Sequence, residues 1–497
     1  MAESPAPGGR SSAVSEPPEP QLLRRRYRAA VGVAGLLAFV LLASVTAGSG
    51  EDERSVAGPA GSLPNVATDT GGPADRRAAG VDARESSRGA GGGIGVPGTG
   101  GSAGGRGPGA AGSRAVGPSD QGVTATEIVI AFTRIDPAFY ARFGIPDPEA
   151  ERGIQAYVEH VNATGGINGR QVRPVIITQS DPRFPEPSQQ TCRTAFADRR
   201  AFMMINDQRW PGMAECATRV ARPISDSGNG LLAATSRSFL HELGGRYWIG
   251  AMNVERFAKL WVDFIAKRLD GRKQKIGILE HYNDDLTYAS KVIQAQMRRA
   301  GFRQPSVFKH TEDISTAAIQ ANNAMAQYEQ DGVTLIVPVT NAVPAGIGQR
   351  TATSRNYRPK WTFSSIGGLD ATDYVTFYDD SQFNGSVGIS FARLPSQPGQ
   401  EECRRIFTQR WPGSEYTSQQ SGWCHMILLN ADALRRAGAQ LTLGTWNAGF
   451  ASIGSYVGNH VGRSTFAPRK YDGADQVQVL RYEDGRMSSI SPFVDGF

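Results

Sequence analysis

Short apolar runs alternate with amphipathic stretches through residues 126–363, and this alternation sets strong limits on the fold. Thr126–Phe132 is rich in β-forming residues, whereas 149–162 places four apolar side chains on one helical face, at Ile154, Tyr157, Val158 and Val161. Gly165-Gly166 is typical of a helix C-terminus, and Asn168-Gly169 predicts a tight turn into the next strand. The pattern therefore predicts βα units.

These units form two series. The first has predicted strands at 126–132, 172–178, 202–205 and 223–225 and predicted helices at 149–162, 187–197 and 212–221. A second series follows Tyr247-Trp248-Ile249, with predicted strands at 275–279, 306–309, 334–339 and 361–363 and helices at 257–269, 288–300, 315–328 and 347–354. Beyond them we predict a strand at 386–391, helices near 400–410 and 419–437, and a hairpin of 477–482 with 487–490. The fold class is α/β, with two parallel-sheet lobes.

The N-terminal part carries an export signal. Residues 29–47 are uncharged and would span roughly 28 Å as a helix, close to the thickness of a bilayer core. Arginines at 24–26 and 28 precede this segment and acids at 51–53 follow it, which predicts a cytoplasmic N-terminus. We predict a cytoplasmic segment at 1–28 and a transmembrane helix or signal anchor at 29–48. A cleavable signal peptide is the alternative, and both interpretations export the rest.

Residues 49–121 are predicted to be a disordered linker. Thirteen of the 24 residues from Gly89 to Gly112 are glycine. Such a tract buries too little apolar surface to offset about 1–2 kcal/mol of backbone entropy per residue. Its simplest role is a flexible tether.

Charge and motifs argue against several function classes. The 53 basic and 47 acidic side chains give a net charge of only +6, without the concentrated basic patch of a nucleic-acid binder. The chain has no Gly-Lys dipeptide for a P-loop, and its one G-x-S-x-G match, at 100–104, lies in the glycine-rich tract. We therefore expect no enzyme, no cofactor and no metal, with an exported hydrolase as a minor alternative.

Four cysteines, Cys192, Cys216, Cys403 and Cys424, lie in the exported part. An even number in an oxidising compartment suggests disulfides. Pairing between sequence neighbours, Cys192 with Cys216 and Cys403 with Cys424, would close two loops of similar length. A zinc site is the alternative, but no C-x-x-C motif or clustered histidines accompany the cysteines.

Two stretches of the sequence carry a resemblance to a known family. Gly122-Val-Thr-Ala-Thr-Glu-Ile128 resembles the opening strand of the solute-binding proteins of branched-chain amino-acid ABC importers. Tyr157-Val-Glu-His-Val-Asn-Ala-Thr-Gly-Gly-Ile-Asn-Gly-Arg170 is similar to their first helix and the turn after it. Asp181, Cys192, the motif at Tyr288-Ala289 and the helix end at 431–438 are similar too. The resemblance runs from about 122 to 497.

The resemblance implies the type I periplasmic-binding fold, in which two Rossmann-like lobes joined by a three-crossing hinge close over a solute. We expect the first lobe at about 122–246 and 378–458 and the second at about 247–377 and 459–497. It also implies delivery of an amino acid or a similar small polar molecule to an ABC permease, by a monomer outside the cell. A membrane-anchored sensor or scavenging module of the same fold is the alternative.

Ligands of open α/β sheets bind beyond the carboxyl ends of the strands, which gives a set of candidate residues. They are Asp207, Gln208, Arg209, Trp210, Ser227 and Asn229 in the first lobe and Tyr282, Tyr288, Asn341 and Ser365 in the second. In amino-acid-binding relatives, hydroxyls after the third and fourth strands hold the ligand carboxylate, and an acid in the second lobe holds the ammonium. Here Asp207 stands in place of the third-strand serine and Ile366 in place of that acid, which Asp370 could replace.

Overall fold

The structure, a computed structural model, describes residues 117–497 apart from 143–146, 148, 182, 207–209, 228, 231–232 and 312. The predicted transmembrane helix and the linker up to 116 lie outside the described residues. The sequence predicts a linker that reaches 121, but Ser119 and Asp120 already pack on the fold. The Ser119 hydroxyl donates to the Leu441 carbonyl at 3.0 Å, and Asp120 pairs with Arg222 at 2.5 Å. Within the described ranges, no helix has the length and apolar character of a bilayer span.

The strands and helices follow one another along the chain. The strands are β1 Glu127–Ile135, β2 Gln171–Gln179, β3 Met203–Asn206, β4 Ile224–Asp226, β5 Asn229–Gly230, β6 Ala233–Ala234, β7 Tyr247–Ile249, β8 Ile276–His281, β9 Ser306–His310, β10 Leu335–Val339, β11 Lys360–Ser364, β12 Val387–Ser390, β13 Gly454–Val457, β14 Arg463–Phe466, β15 Gln478–Glu483 and β16 Arg486–Ser489. The helices are α1 Pro137–Arg142, α2 Ala150–Ala163, α3 Pro185–Arg193, α4 Met213–Val220, α5 Arg237–Leu243, α6 Val254–Arg268, α7 Asp284–Arg299, α8 Ala317–Asp331, α9 Ala342–Ser354, α10 Asp380–Phe383, α11 Glu401–Arg410, α12 Ser418–Arg436 and α13 Leu443–Ala451.

The first lobe is built on a five-stranded sheet with the order β2-β1-β3-β4-β7, and its strand pairs are parallel. Strand β1 is buried from Ile128 to Phe132 because sheet neighbours and helices cover it on every side. One face packs against α2, α12 and α13, and the other packs against α3, α4 and α5. Helix α2 buries the apolar face that the sequence predicts.

The second lobe is built on a seven-stranded sheet with the order β16-β15-β12-β11-β10-β8-β9. The pairs from β9 to β12 are parallel, whereas β15 and β16 are antiparallel additions. Helices α6 and α7 cover one face of this sheet, and α8 and α9 cover the other. Each lobe is therefore a three-layer α/β sandwich with its own core.

The chain passes between the lobes at about 250–253, 391–400 and 458–477, and the three segments are hydrogen-bonded to one another. Gly473 N donates to Ala251 O at 2.9 Å, and Arg393 N donates to His460 O at 2.6 Å. The expected lobe boundary at 377 is wrong by about a dozen residues, because β12 pairs with β11 in the second sheet before the chain crosses. The C-terminal strands β15 and β16 also belong to the second sheet.

Both disulfides lie in the first lobe and join sequence neighbours. Cys192–Cys216 links α3 to α4, and Cys403–Cys424 links α11 to α12. All four cysteines of the chain belong to these two disulfides. No group of three or more His, Cys, Asp or Glu side chains in the described part of the chain is arranged to hold a metal ion.

Candidate functional site

A crevice of about 110 Å³ lies between the two lobes, next to the crossings. A cavity that holds one water has a volume of roughly 10–15 Å³ on the same scale, so the crevice has room for a small molecule. Both lobes and the crossings contribute to its wall, through Ser227, Ser365, Gly368, Asp370, Ala371, Asp373, Tyr374, Ser390, Phe391, Ala392, Arg393, Leu394, Ser418, Gln419, Gly422 and His460.

Three of the four serines in the wall reach the crevice because they lie at or just after the carboxyl ends of strands. Ser227 follows β4 of the first lobe, Ser365 follows β11 of the second, and Ser390 is the last residue of β12. The carboxyl ends of both sheets therefore face one crevice, as the geometry of open α/β sheets requires.

Asp370 provides a buried carboxyl group in the wall of the crevice and is 8% exposed. The hydroxyls of Ser365 and Ser390 each donate to its Oδ2 atom at 2.5 Å. Burial nevertheless raises the pKa of Asp370 above its ordinary value, because the two hydroxyl donors offset only part of the lost hydration. The group makes no ion pair with any described side chain.

Asp373 lines the crevice and joins the second lobe to the first. Its carboxylate accepts from the backbone N–H groups of Ser418 at 3.4 Å and Gln419 at 3.3 Å, at the N-terminus of α12. The Thr417 hydroxyl also donates to it at 3.3 Å. Burial raises the pKa of Asp373 to about 6, against the lowering effect of these donors. The lobes therefore touch through this contact as well as at the crossings.

A histidine pair lies beside the crossings. His460 lines the crevice, and its Nδ1 lies 2.8 Å from the Ser421 hydroxyl oxygen. His425, on α12, is 2% exposed, and neither of its ring nitrogens has a hydrogen-bond partner among the described atoms. The third crossing packs tightly on the His425 ring: a Cβ atom on Gly458 would lie only 2.7 Å from its Nδ1. Burial lowers the pKa of His425 to about 3 and that of His460 to about 4.

A second depression, of about 380 Å³, lies on the first lobe alone, between the end of β2 and helix α3. It is larger than the crevice, but no residue of the second lobe or of the crossings lines it. A site that works by lobe closure needs both lobes, so we take the smaller crevice as the candidate site.

Solved structures share the fold of this chain. No family model matches the chain, and no curated protein matches it. Solved structures with a similar fold include a possible leucine/isoleucine/valine-binding protein from Rhodopirellula baltica SH 1, at 14% identity and TM-score 0.61, over 75% of this chain and 98% of that one. A type 1 periplasmic binding protein from Bordetella pertussis Tohama I matches at 17% identity and TM-score 0.58, over 74% and 99%. The chain has the type I periplasmic-binding fold. This confirms the fold that the sequence resemblance implies.

Proteins with this fold differ in what they bind. A fatty acid ABC transporter substrate-binding protein from Thermomonospora curvata has the same type I periplasmic-binding fold, at 13% identity and TM-score 0.60, over 77% of this chain and 95% of that one. Fold alone therefore names no ligand for this chain, and the chemistry of its own crevice has to be considered.

Two of the candidate residues taken from strand ends, Ser227 and Ser365, line the crevice of this type I periplasmic-binding fold. Trp210 is buried instead, at 1% exposure, in a small cluster with Ile135, Phe139 and Tyr140. Asp207, Gln208 and Arg209 lie outside the described residues, as does the side chain of Asn229.

The other second-lobe candidates lie away from the crevice wall. Tyr282 is 65% exposed, beyond the end of β8. The Tyr288 hydroxyl donates to Glu255 Oε1 at 2.7 Å on the lobe surface. The Asn341 side chain caps α9 by accepting from Val343 N at 3.1 Å.

Most residues that line the crevice were not among the candidates taken from the sequence. Ser390 and Phe391 end the predicted strand 386–391, so the strand-end rule, applied there too, finds them. Arg393 and His460 lie on crossings, and Gln419 lies at a helix N-terminus. These last three have no strand end to mark them, and their place in the wall follows only from the three-dimensional path of the chain.

Proposed function

We propose that this chain is an extracytoplasmic solute-binding receptor that captures a small polar molecule between its two lobes and delivers it to an ABC importer. The observation that carries the proposal is the crevice itself, whose wall combines both lobes with the crossings. A molecule bound there contacts parts of the chain that can move relative to one another, so binding favours the closed arrangement.

The rest of the chain supports an exported receptor. Two disulfides suit an oxidising compartment. The uncharged segment 29–48 would hold the protein at the membrane, and the glycine-rich tether would let a monomeric receptor reach its permease. A sensor would transmit lobe closure better through a stiff connection, so delivery is the better account.

Thermal unfolding of the full-length chain in mild detergent tests the receptor function. The compounds are amino acids, amines, amides, sugars and aromatic acids, each added separately. A compound that binds the folded state raises its stability by about 2.7 kcal/mol at a hundredfold excess over Kd. We expect at least one compound to raise the melting temperature in a concentration-dependent way. If no compound in the panel does so, the receptor proposal fails.

A pair of variants ties such a shift to the crevice. Ser227→Trp places a large ring in the crevice wall, so we expect the variant to fold but lose the shift. Ser455→Trp adds the same ring at an exposed position on β13 and should retain it. An equal shift in both variants would place the binding site elsewhere.

A further inference from the structure

The charges in the crevice restrict what it can hold. Resting on the receptor function above, we propose that the bound solute is a small organic cation without a carboxylate, such as a protonated amine or a guanidine.

Neither acid has a counter-charge. Asp370 and Asp373 make hydrogen bonds but no ion pair with any described residue. Arg393 lines the same crevice, but its guanidinium makes no ion pair with either acid. Its Nε donates to Val461 O at 3.2 Å, and one terminal nitrogen donates to Pro398 O at 3.2 Å. Unpaired carboxylates are costly to bury, and a cationic solute would supply the missing partner.

Several donors that would hold a solute carboxylate are already in use. The N-terminus of the 19-residue helix α12 is a natural anion site, but the Asp373 carboxylate occupies it. The hydroxyls of Ser365 and Ser390 both lie 2.5 Å from Asp370 Oδ2, within hydrogen-bond distance of it. A solute carboxylate would therefore displace one of the protein's own carboxylates or lie beside them unpaired, and like charges repel strongly in a partly dry crevice.

The apolar part of the wall also suits a cation. Tyr374 is 7% exposed and Phe391 is 6% exposed, and both line the crevice. Aromatic rings attract organic cations through their π faces and also cover a short hydrocarbon chain. Two acids and two aromatic rings together form a wall for a small amine with an apolar body.

Matched pairs of compounds test the proposal, with affinity measured by titration calorimetry on the full-length chain in detergent. The pairs are 3-methylbutylamine with leucine, agmatine with arginine, and cadaverine with lysine. The members of each pair differ only in the carboxyl group. We expect at least one amine to bind about tenfold or more tighter than its amino acid. Equal or tighter binding of the amino acids overturns the proposal, as does an absence of binding by all three amines.

Variants connect the preference to the acids. Asp370→Asn removes the charge while keeping the shape, so we expect about a tenfold or greater loss of affinity for the amine that binds best. Asp373→Asn should act in the same direction, because asparagine still suits a helix N-terminus. Asp263→Asn, on the surface of α6, is the matched control and should bind as the wild type does. Unchanged affinity in both crevice variants would overturn the proposal.

A measurement on the wild type covers the case in which a variant does not fold. At pH 6, calorimetry in two buffers of different ionisation enthalpy reports the protons released when the amine binds. Pairing with a cation favours the ionised carboxyl groups, so we expect proton release. Proton uptake, or no exchange, counts against the proposal.

The outcomes separate this inference from the receptor function. Binding of sugars, amides or amino acids without any amine would overturn only the cation inference. Failure of the whole panel to bind would overturn the receptor function itself.

Discussion

Four buried or half-buried histidines have pKa values well below the ordinary value for this side chain. His281 and His310 are neighbours in the second lobe, with ring centroids 5.0 Å apart, and His425 and His460 lie beside the crossings with centroids 6.0 Å apart. Burial lowers the pKa of each ring, to about 3 or about 4. The folded protein therefore holds all four imidazoles neutral at neutral pH.

This predicts a loss of stability in mild acid. Between pH 6.5 and about 4 the unfolded chain binds more protons at these histidines than the folded chain, so the free energy of unfolding falls as the pH falls. Asp370 and Asp373, whose pKa values burial raises, act in the opposite direction, but two carboxyl groups oppose four imidazoles. Urea unfolding at pH 7, 5.5 and 4.5 measures the effect, and His425→Leu should reduce the slope. A midpoint that does not move between pH 7 and pH 4.5 contradicts this account.

Individual residues also show which parts of the crevice wall can be predicted from the sequence. Ser227 and Ser365 were predictable, because a strand end and a parallel sheet fix where the next side chain lies. Trp210 also follows the third strand, yet its ring is buried with Phe139 and Tyr140. Asp373 lies nine residues after the end of β11, so the strand does not fix its position. Its contact with the N-terminus of α12 depends on how the two lobes pack together. No local sequence pattern predicts how the lobes pack together.

At the scale of elements, the periodic pattern predicted most βα units to within a few residues. The elements that it missed depend on tertiary contacts. Helix α13 contains two glycines, so its own propensity is low. It forms because Trp446 and Phe450 pack into the first lobe, with Phe450 stacked on Trp248 at 4.9 Å between centroids. Gly449 lets the helix approach α12, since a Cβ there would lie 2.1 Å from Ala433 O.

The disulfides act on elements as well, because each one joins a pair of helices. Cys192–Cys216 spans 24 residues of sequence and Cys403–Cys424 spans 21, and loops of this size correspond to about 3 kcal/mol each in the chain-entropy model. We expect the double variant Cys192→Ser/Cys216→Ser to lose about that much unfolding free energy under oxidising conditions. Under reducing conditions the variant and the wild type should differ less. Equal stability of the two oxidised proteins would show that this bridge contributes nothing.

At the scale of the whole molecule, two sheets with separate cores meet along a crevice. Three hydrogen-bonded crossings join the lobes, and the contact of Asp373 with the N-terminus of α12 adds a further link between them. Two lobes with separate cores that are joined by a few chain segments have the arrangement that a hinge needs. The resemblance in sequence predicted this plan. The second sheet extends further than expected because β12, β15 and β16 all join it.

Binding of a small solute between the lobes is tested most directly by hydrogen exchange. Amide exchange is followed by mass spectrometry on the full-length chain, with and without the compound that raises the melting temperature most. We expect slower exchange in segments 365–374, 391–394 and 418–422, which represent the second lobe, a crossing and the first lobe. Slower exchange confined to the depression at 177–194, or to one lobe alone, would contradict the account.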